Sequence, residues 1–248
     1  MNPILFDVFG WSIHSYSILL IAGILAAILV IRQNAKLSSI TPDQATDLII
    51  LMAIAGIIGS RIMYVIQFWE NYQDQWARIF FVWEGGLVYY GGFIFSVVLL
   101  AIVARVKDWS YLESLDLLMP SLAIGQAFGR VGCFFNGCCF GKASALPWAV
   151  QFPFLTSRVH PTQLYESLFL VLLFLLLIRV YRRAYWKGET LCFYLSFYGA
   201  GRFVIEYMRG DHMHYYLNHT VSQWVSVGLM IAGLLGFLLL RKRFPYAR

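Results

Sequence analysis

The stretch GQAFGRVGCFFNGCCFG, residues 125–141, sets one cation, Arg130, inside a run that is otherwise uncharged and mostly apolar or small. Two further stretches repeat the pattern: IAGIIGSRIMYVIQF (54–68) carries Arg61, and FYGAGRFVIEYMRG (197–210) carries Arg202. Each of these arginines follows a serine or glycine, which leaves room for a neighbouring helix or a ligand. A charge at the bilayer centre costs roughly 2.5–3.5 kcal/mol on insertion scales, so an arginine within a span faces a polar cavity or an anionic partner. The three together predict a buried anion site.

That reading requires a membrane protein, and the composition supplies one. Of 248 residues, 60% are hydrophobic and only 13% charged, and the mean hydropathy is +0.67, well above that of a soluble domain. Apolar runs of about 20 residues, long enough to cross as helices, predict seven transmembrane helices near 14–31, 45–68, 87–104, 114–132, 161–180, 190–208 and 220–240. No internal repeat, low-complexity tract or second domain is visible, so 1–248 reads as a single polytopic all-α membrane domain.

Orientation follows from the 19 Lys and Arg, because cytoplasmic loops retain positive charge. Arg32, Lys36, Arg105, Lys107, Arg179, Arg182, Arg183, Lys187, Arg241, Lys242, Arg243 and Arg248 fall in alternate connections. The opposite connections hold Arg78, Lys142, Arg158 and Arg209. The N-terminus is therefore expected outside and the C-terminus in the cytoplasm, and with no Lys or Arg before Arg32 no cleavable signal is expected. The net charge of +6 then reflects topology and contact with anionic membrane lipids, with no nucleic-acid partner.

The outer connections are the longer ones. Trp69, Tyr72, Trp76, Phe80 and Trp83 recur at intervals of three and four, predicting an interfacial helix with one aromatic face. Residues 133–160 form the longest connection, in which Trp148, Val150 and Phe152 alternate as in a short strand. This predicts a small outer cap or arm.

Span four and its exit carry the chemistry. Gly125, Gly129 and Gly132 leave a bare face for close packing. Arg130, Asn136, Gly137 and Gly141 then place a guanidinium, an amide and flexible backbone at the outer end. A guanidinium holds a phosphate by paired hydrogen bonds that lysine cannot match; a structural ion pair between helices is the alternative use. On span six, Tyr198, Arg202 and Glu206 are spaced by four and Arg209 follows three later, so all share one face. Arg202 and Glu206 either neutralise each other or serve a ligand. On span five, Gln163 and Glu166 in HPTQLYE (160–166) lie one turn apart behind Pro161, and Glu166 is a candidate partner for an arginine.

With these residues in view, GRVGCFFNGCCFG (129–141) resembles the signature of the bacterial prolipoprotein diacylglyceryl transferases, in which a Gly-Arg, an Asn-Gly and a closing Gly recur at this spacing. SIHSYSILL around Tyr16, GSRIMYV around Arg61, VWEGGLVYYGG (82–92), HPTQLYE, GAGRFVIEYMR (199–209) and VSQWVS (221–226) resemble the same family in order, over nearly the whole chain. The resemblance implies a seven-helix enzyme of the bacterial inner membrane. Such enzymes move the diacylglyceryl group of phosphatidylglycerol onto the lipobox cysteine of a prolipoprotein signal peptide, forming a thioether and releasing glycerol 1-phosphate. Catalytic roles are expected of Arg130, Arg202, Tyr90 and Glu206. Substrate contacts would come from Arg130, Tyr16, Arg61, Gly91, Gly92, Asn136, Gly137, Gly141, Gln163, Glu166 and Arg209.

Preorganised guanidinium groups in a dry site would stabilise the charge that gathers on a departing phosphate. Neighbouring cations would also help a substrate thiol ionise, so neither a cofactor nor a metal is expected. The chain departs from the family pattern at two places. Tyr90 stands where many members have a histidine given the role of base, and a phenol of ordinary pKa about 10 accepts a proton poorly at neutral pH. Cys133 and Cys138 stand where members usually have Asn and Glu.

Those cysteines define a rival class. Cys133, Cys138 and Cys139 cluster at the outer face, with Cys192 apart, as a membrane thiol oxidoreductase would have them. No C-x-x-C and no second cysteine pair supports a relay. Asp211, His212 and His214, or Cys138 and Cys139, match no familiar zinc spacing. A small-solute transporter is a third class, weakened by the lack of a repeat between halves.

Overall fold

The computed structural model describes residues 4–8, 11–73, 75–82, 85–211, 215–241 and 243. Trp83, His212, His214, Lys242 and Arg248, on which parts of the expectation fell, lie outside the described residues. Among the described residues seven α-helices follow one another: α1 (Ser15–Ala35), α2 (Pro42–Gln67), α3 (Tyr89–Val106), α4 (Tyr111–Asn136), α5 (Thr162–Arg183), α6 (Glu189–Met208) and α7 (Val221–Leu240). They coincide with the seven apolar runs. All but α6 are long and apolar enough to cross a membrane, so the protein is a multi-pass membrane protein. The 20 residues of α6 suffice for about 30 Å, but Glu189, Arg202 and Glu206 interrupt its apolar surface.

Local signals set the helix ends. Thr41 accepts from the Gln44 amide and Gln44 returns the bond, a capping box before Pro42; Thr220 and Gln223 do the same for α7. Gly137 ends α4 at φ 74, where its N–H reaches the Cys133 and Phe134 carbonyls, a left-handed reversal that glycine makes without strain. Asp116, fully buried, accepts from the Gly188 amide at 2.6 Å and the Leu191 amide at 2.9 Å. It thereby satisfies donors at the start of α6 that have no partner within the helix.

The contacts define two ends of the bundle. At one end, Glu113 at the start of α4 accepts from Ser39 between α1 and α2 and pairs with Lys187 before α6 at 2.9 Å. At the other end, α4 finishes where α5 begins and α6 stops. Arg32, Lys36, Arg105, Lys107, Arg182, Arg183 and Arg241 belong to the first end, at the close of α1, α3, α5 and α7. The apolar core also lies towards that end: Ile31, Ile40, Leu48, Leu100, Leu117 and Leu177 are almost inaccessible. α4 packs against α1, α3, α5 and α6. Gly125 meets Gly23 of α1, and Tyr16 lies over Gly132, while Gly129 faces open space.

Two local expectations are corrected. The aromatic stretch is two short 3-10 turns, Trp69–Asn71 and Trp76–Phe80, rather than one helix. Trp69, Trp76 and Phe80 are exposed, whereas Tyr72 is buried against the Arg61 guanidinium, so the aromatics divide between two faces. In the arm after α4, Trp148, Val150 and Phe152 form no continuous strand. Only isolated bridges join Val150 and Ala143 to Val159, and Phe152 is buried while Trp148 is exposed. The arm is pinned instead by Phe134, Phe140, Phe152 and Phe154, whose rings lie 5.8–6.0 Å apart in successive pairs. Two small antiparallel hairpins were not foreseen: β1 (Ile4–Val8) with β2 (Trp11–His14), and β3 (Tyr215–Tyr216) with β4 (His219–Thr220).

Candidate active site

The end of the bundle opposite the basic residues holds a buried network of charge. Glu166, one turn into α5, lies 3.1 Å from Arg130 Nη2 on α4 and 3.7 Å from Arg202 Nη1 on α6. Arg202 Nη2 pairs with Glu206 at 2.8 Å, one turn along the same helix. Glu206 also accepts from the Thr220 hydroxyl at 2.8 Å and lies 3.9 Å from Arg209 Nη1. Arg209 in turn grips Asp211 through two bonds of 2.6 and 2.9 Å. Burial works against the Arg209 charge, yet the Asp211 carboxylate outweighs it and holds the guanidinium above its usual range.

The first turn of α5 is fastened to the exit of α4, which explains the HPTQLYE spacing. Thr162 Oγ1 donates to the Cys139 carbonyl at 2.8 Å, Gln163 Nε2 to the Cys138 carbonyl at 2.6 Å, and Ser167 Oγ to the Ala127 carbonyl at 3.0 Å. Gly141 lies between the arm and α6, its amide bonded to the His160 carbonyl and the Lys142 amide to the Met208 carbonyl. An added Cβ at Gly141 would meet both carbonyls at 2.8 Å. That close approach brings Arg209 within electrostatic reach of Cys139.

The network is balanced in charge but not in hydrogen bonds. Arg202 Nη1 on the donor side, and Glu166 Oε1 and Gln163 Oε1 on the acceptor side, are buried with no hydrogen-bond partner among the described residues. Arg130, whose guanidinium carries five donors, makes one ion pair there. Leaving a buried charged donor unbonded costs more than the 1–3 kcal/mol typical of neutral groups. The arrangement suits an oxygen-rich anion arriving between Arg130 and Arg202.

The predicted residues divide. Arg130, Arg202, Glu206, Arg209, Glu166 and Gln163 come together through the contacts above, and Asn136 closes α4 beside Cys138, whose thiol donates to the Cys133 carbonyl at 3.7 Å. Tyr16 is within electrostatic reach of Arg130 and of Cys133. Arg61 is not in this group. Its guanidinium donates to the carbonyls of Ile79, Gly85, Gly86 and Arg78 at 2.9, 2.6, 3.3 and 2.6 Å and lies over Tyr64 and Tyr72. A cavity of about 450 Å³ beside it, lined also by Asn71, Gln75 and Arg78, shares no residue with the charged network. Gly91 and Gly92 face Gly59, Ser60 and Gly56, where added side chains would collide with α2.

Sequence reasoning missed two contributors. Thr220 both caps α7 and holds Glu206; the T-x-x-Q before an apolar run was its signal. Tyr89, beside Tyr90 with ring centroids 6.0 Å apart, is within electrostatic reach of Arg130, Glu166 and Arg202. No spacing rule distinguishes two adjacent tyrosines at a helix start.

The four cysteines are free thiols. Cys133, Cys138 and Cys139 stand together, their sulfurs within 4.8 Å of one another. Hydrogen bonds from Cys133 and Cys138, then the charges of Arg209 and Arg130, hold the Cys139 thiol well below its ordinary range despite burial.

The family model described as prolipoprotein diacylglyceryl transferase matches residues 3–239. Relatives named phosphatidylglycerol–prolipoprotein diacylglyceryl transferase include one from Clostridium tetani, 36% identical over 96% of this chain and 97% of its own. One from Finegoldia magna is 36% identical over 95% and 94%, and one from Streptococcus agalactiae 35% over 98% and 97%. Together with the seven helices and the arginine network they bring to one end of the bundle, these matches show that the chain belongs to the prolipoprotein diacylglyceryl transferase family.

Proposed function

We propose that the protein transfers the diacylglyceryl group of phosphatidylglycerol to the lipobox cysteine of a prolipoprotein signal peptide, in the bacterial inner membrane, through the site between α4, α5 and α6. The observation that carries this reading is the buried Arg202 Nη1, without a hydrogen-bond acceptor among the described residues, facing the same Glu166 as Arg130. The substrate's phosphodiester anion supplies the missing acceptor.

The substrate thiolate forms a bond to the glycerol carbon. The carbon–oxygen bond to phosphate breaks, and glycerol 1-phosphate departs with the electron pair. The phosphate then gains a negative charge, and Arg130 and Arg202 stabilise it as it develops. The thiol proton leaves to solvent, and Tyr90 offers a hydroxyl to the phosphate or thiolate. Glu166 and Glu206 hold the guanidinium groups in place before substrate arrives. Gln163, Asn136 and Arg209 line the entry, with Tyr16 over Gly132. Gly137 and Gly141 shape its backbone. Arg61, Gly91 and Gly92 serve the site from a distance, by fixing the loop before α3 and the α2–α3 packing.

In this reading all seven helices span the bilayer, with α6 carrying its charges towards the interior. The basic end faces the cytoplasm, the N-terminus lies outside, and the site with its arm near 133–160 opens to the outer leaflet. Incubating the purified protein with phosphatidylglycerol and a lipobox peptide tests the function. A diacylglyceryl mass gain on the peptide cysteine is the expected result, and an unmodified peptide sinks the reading.

A further inference from the structure

We propose that Cys133, Cys138 and Cys139 form a trithiolate site for a soft, thiophilic cation of the Cu(I) class. Their spacing resembles no familiar zinc pattern, but the fold gathers them. Cys133 occupies the last turn of α4, Gly137 reverses the chain, and Cys139 takes φ 61, a left-handed conformation that costs a non-glycine residue of order 1–3 kcal/mol. The result is three sulfurs within 4.8 Å of one another. Three ligands sharing one ion at about 2.3 Å stand about 4 Å apart, so a small rotation of the side chains closes the site.

The surroundings fit a trithiolate. Gln163 and Thr162 hold the Cys138 and Cys139 carbonyls, so two of the three ligating residues are fixed by bonds from α5. Arg209 and Arg130, each already paired with a carboxylate, lie within electrostatic reach of Cys139 and favour its ionised form. All three cysteines are partly accessible, which gives an ion a way in. No fourth His, Cys, Asp or Glu joins the group among the described residues, and three thiolates without a fourth ligand suit Cu(I) better than tetrahedral zinc.

The test uses full-length protein in detergent, reduced and then freed of reductant without air, and titrated with Cu(I) held by bicinchoninate. The wild type and Cys192→Ala should each take one Cu(I) per chain from the chelator. Cys133→Ser, Cys138→Ser and Cys139→Ser should each weaken binding by about 100-fold or more, the upper end of what losing even an outer-shell partner costs. A wild type that takes no Cu(I), or a triple serine variant that takes as much, overturns the site. Alkylation of the wild type with iodoacetamide, read cysteine by cysteine, needs no variant. Cu(I) should protect Cys133, Cys138 and Cys139 together and leave Cys192 unaffected; protection of none, or of one alone, also overturns it. Both readouts measure binding, so they stand whatever the outcome for transfer.

Discussion

Glu166 Oε1 lies 3.1 Å from Arg130 Nη2, joining the second turn of α5 to the last third of α4 through a carboxylate only 4% exposed. Removing one partner of such a buried pair leaves the other uncompensated, at a cost of about 3–5 kcal/mol. Glu166→Gln should therefore lower the thermal midpoint in detergent markedly while preserving side-chain volume. An unchanged midpoint would show that the pair is solvated and contributes little.

Arg130→Ala and Arg202→Ala should each reduce transfer by about 10²–10³, the loss seen when one donor to a developing anion is removed, with membrane insertion intact. Arg130→Lys should rescue little, because an ammonium cannot offer two parallel bonds. Near-normal turnover in either alanine variant removes that residue from the phosphate site.

Arg61→Ala should act through the loop before α3. Its guanidinium bonds four carbonyls between Arg78 and Gly86, and losing it should cost roughly 2–3 kcal/mol. Faster proteolytic cleavage between 75 and 86 and a lower thermal midpoint are the expected readings. A raised KM for phosphatidylglycerol with stability and cleavage unchanged would instead place Arg61 at the substrate.

What the sequence disclosed follows from how each feature is encoded. Seven apolar runs marked the helices, because the bilayer demands length and hydropathy from each span. The Arg202–Glu206 pair was visible as an i, i+4 spacing on one helix. The Arg130–Glu166 pair was visible in part, since Glu166 was a candidate partner whose arginine the one-dimensional pattern left unnamed. Arg61 was not legible: its acceptors are backbone carbonyls from residues 17 to 25 positions away, and carbonyls have no letter in the sequence. The aromatic stretch misled because intervals of three and four suit a 3-10 turn as well as an α-helix. The thiol cluster was seen, but its closeness depends on the turn at Gly137 and the φ of Cys139.

Topology is independent of the chemistry. Reporter fusions after residues 36, 107 and 186 should report cytoplasm, and fusions after 75 and 145 the outside. A cytoplasmic signal at 145 would put the α4 exit on the wrong side for an outer-leaflet reaction.

The central claim is that one event at the Arg130–Arg202 site joins the peptide sulfur to the diacylglyceryl carbon and expels the phosphate. Its most direct measurement is stoichiometry: thioether-modified peptide and glycerol 1-phosphate counted together in one reaction of purified protein, phosphatidylglycerol and lipobox peptide. The account predicts equal molar amounts at every time point. Glycerol 1-phosphate released without modified peptide, or dithiol oxidation with phosphatidylglycerol left intact, would contradict it.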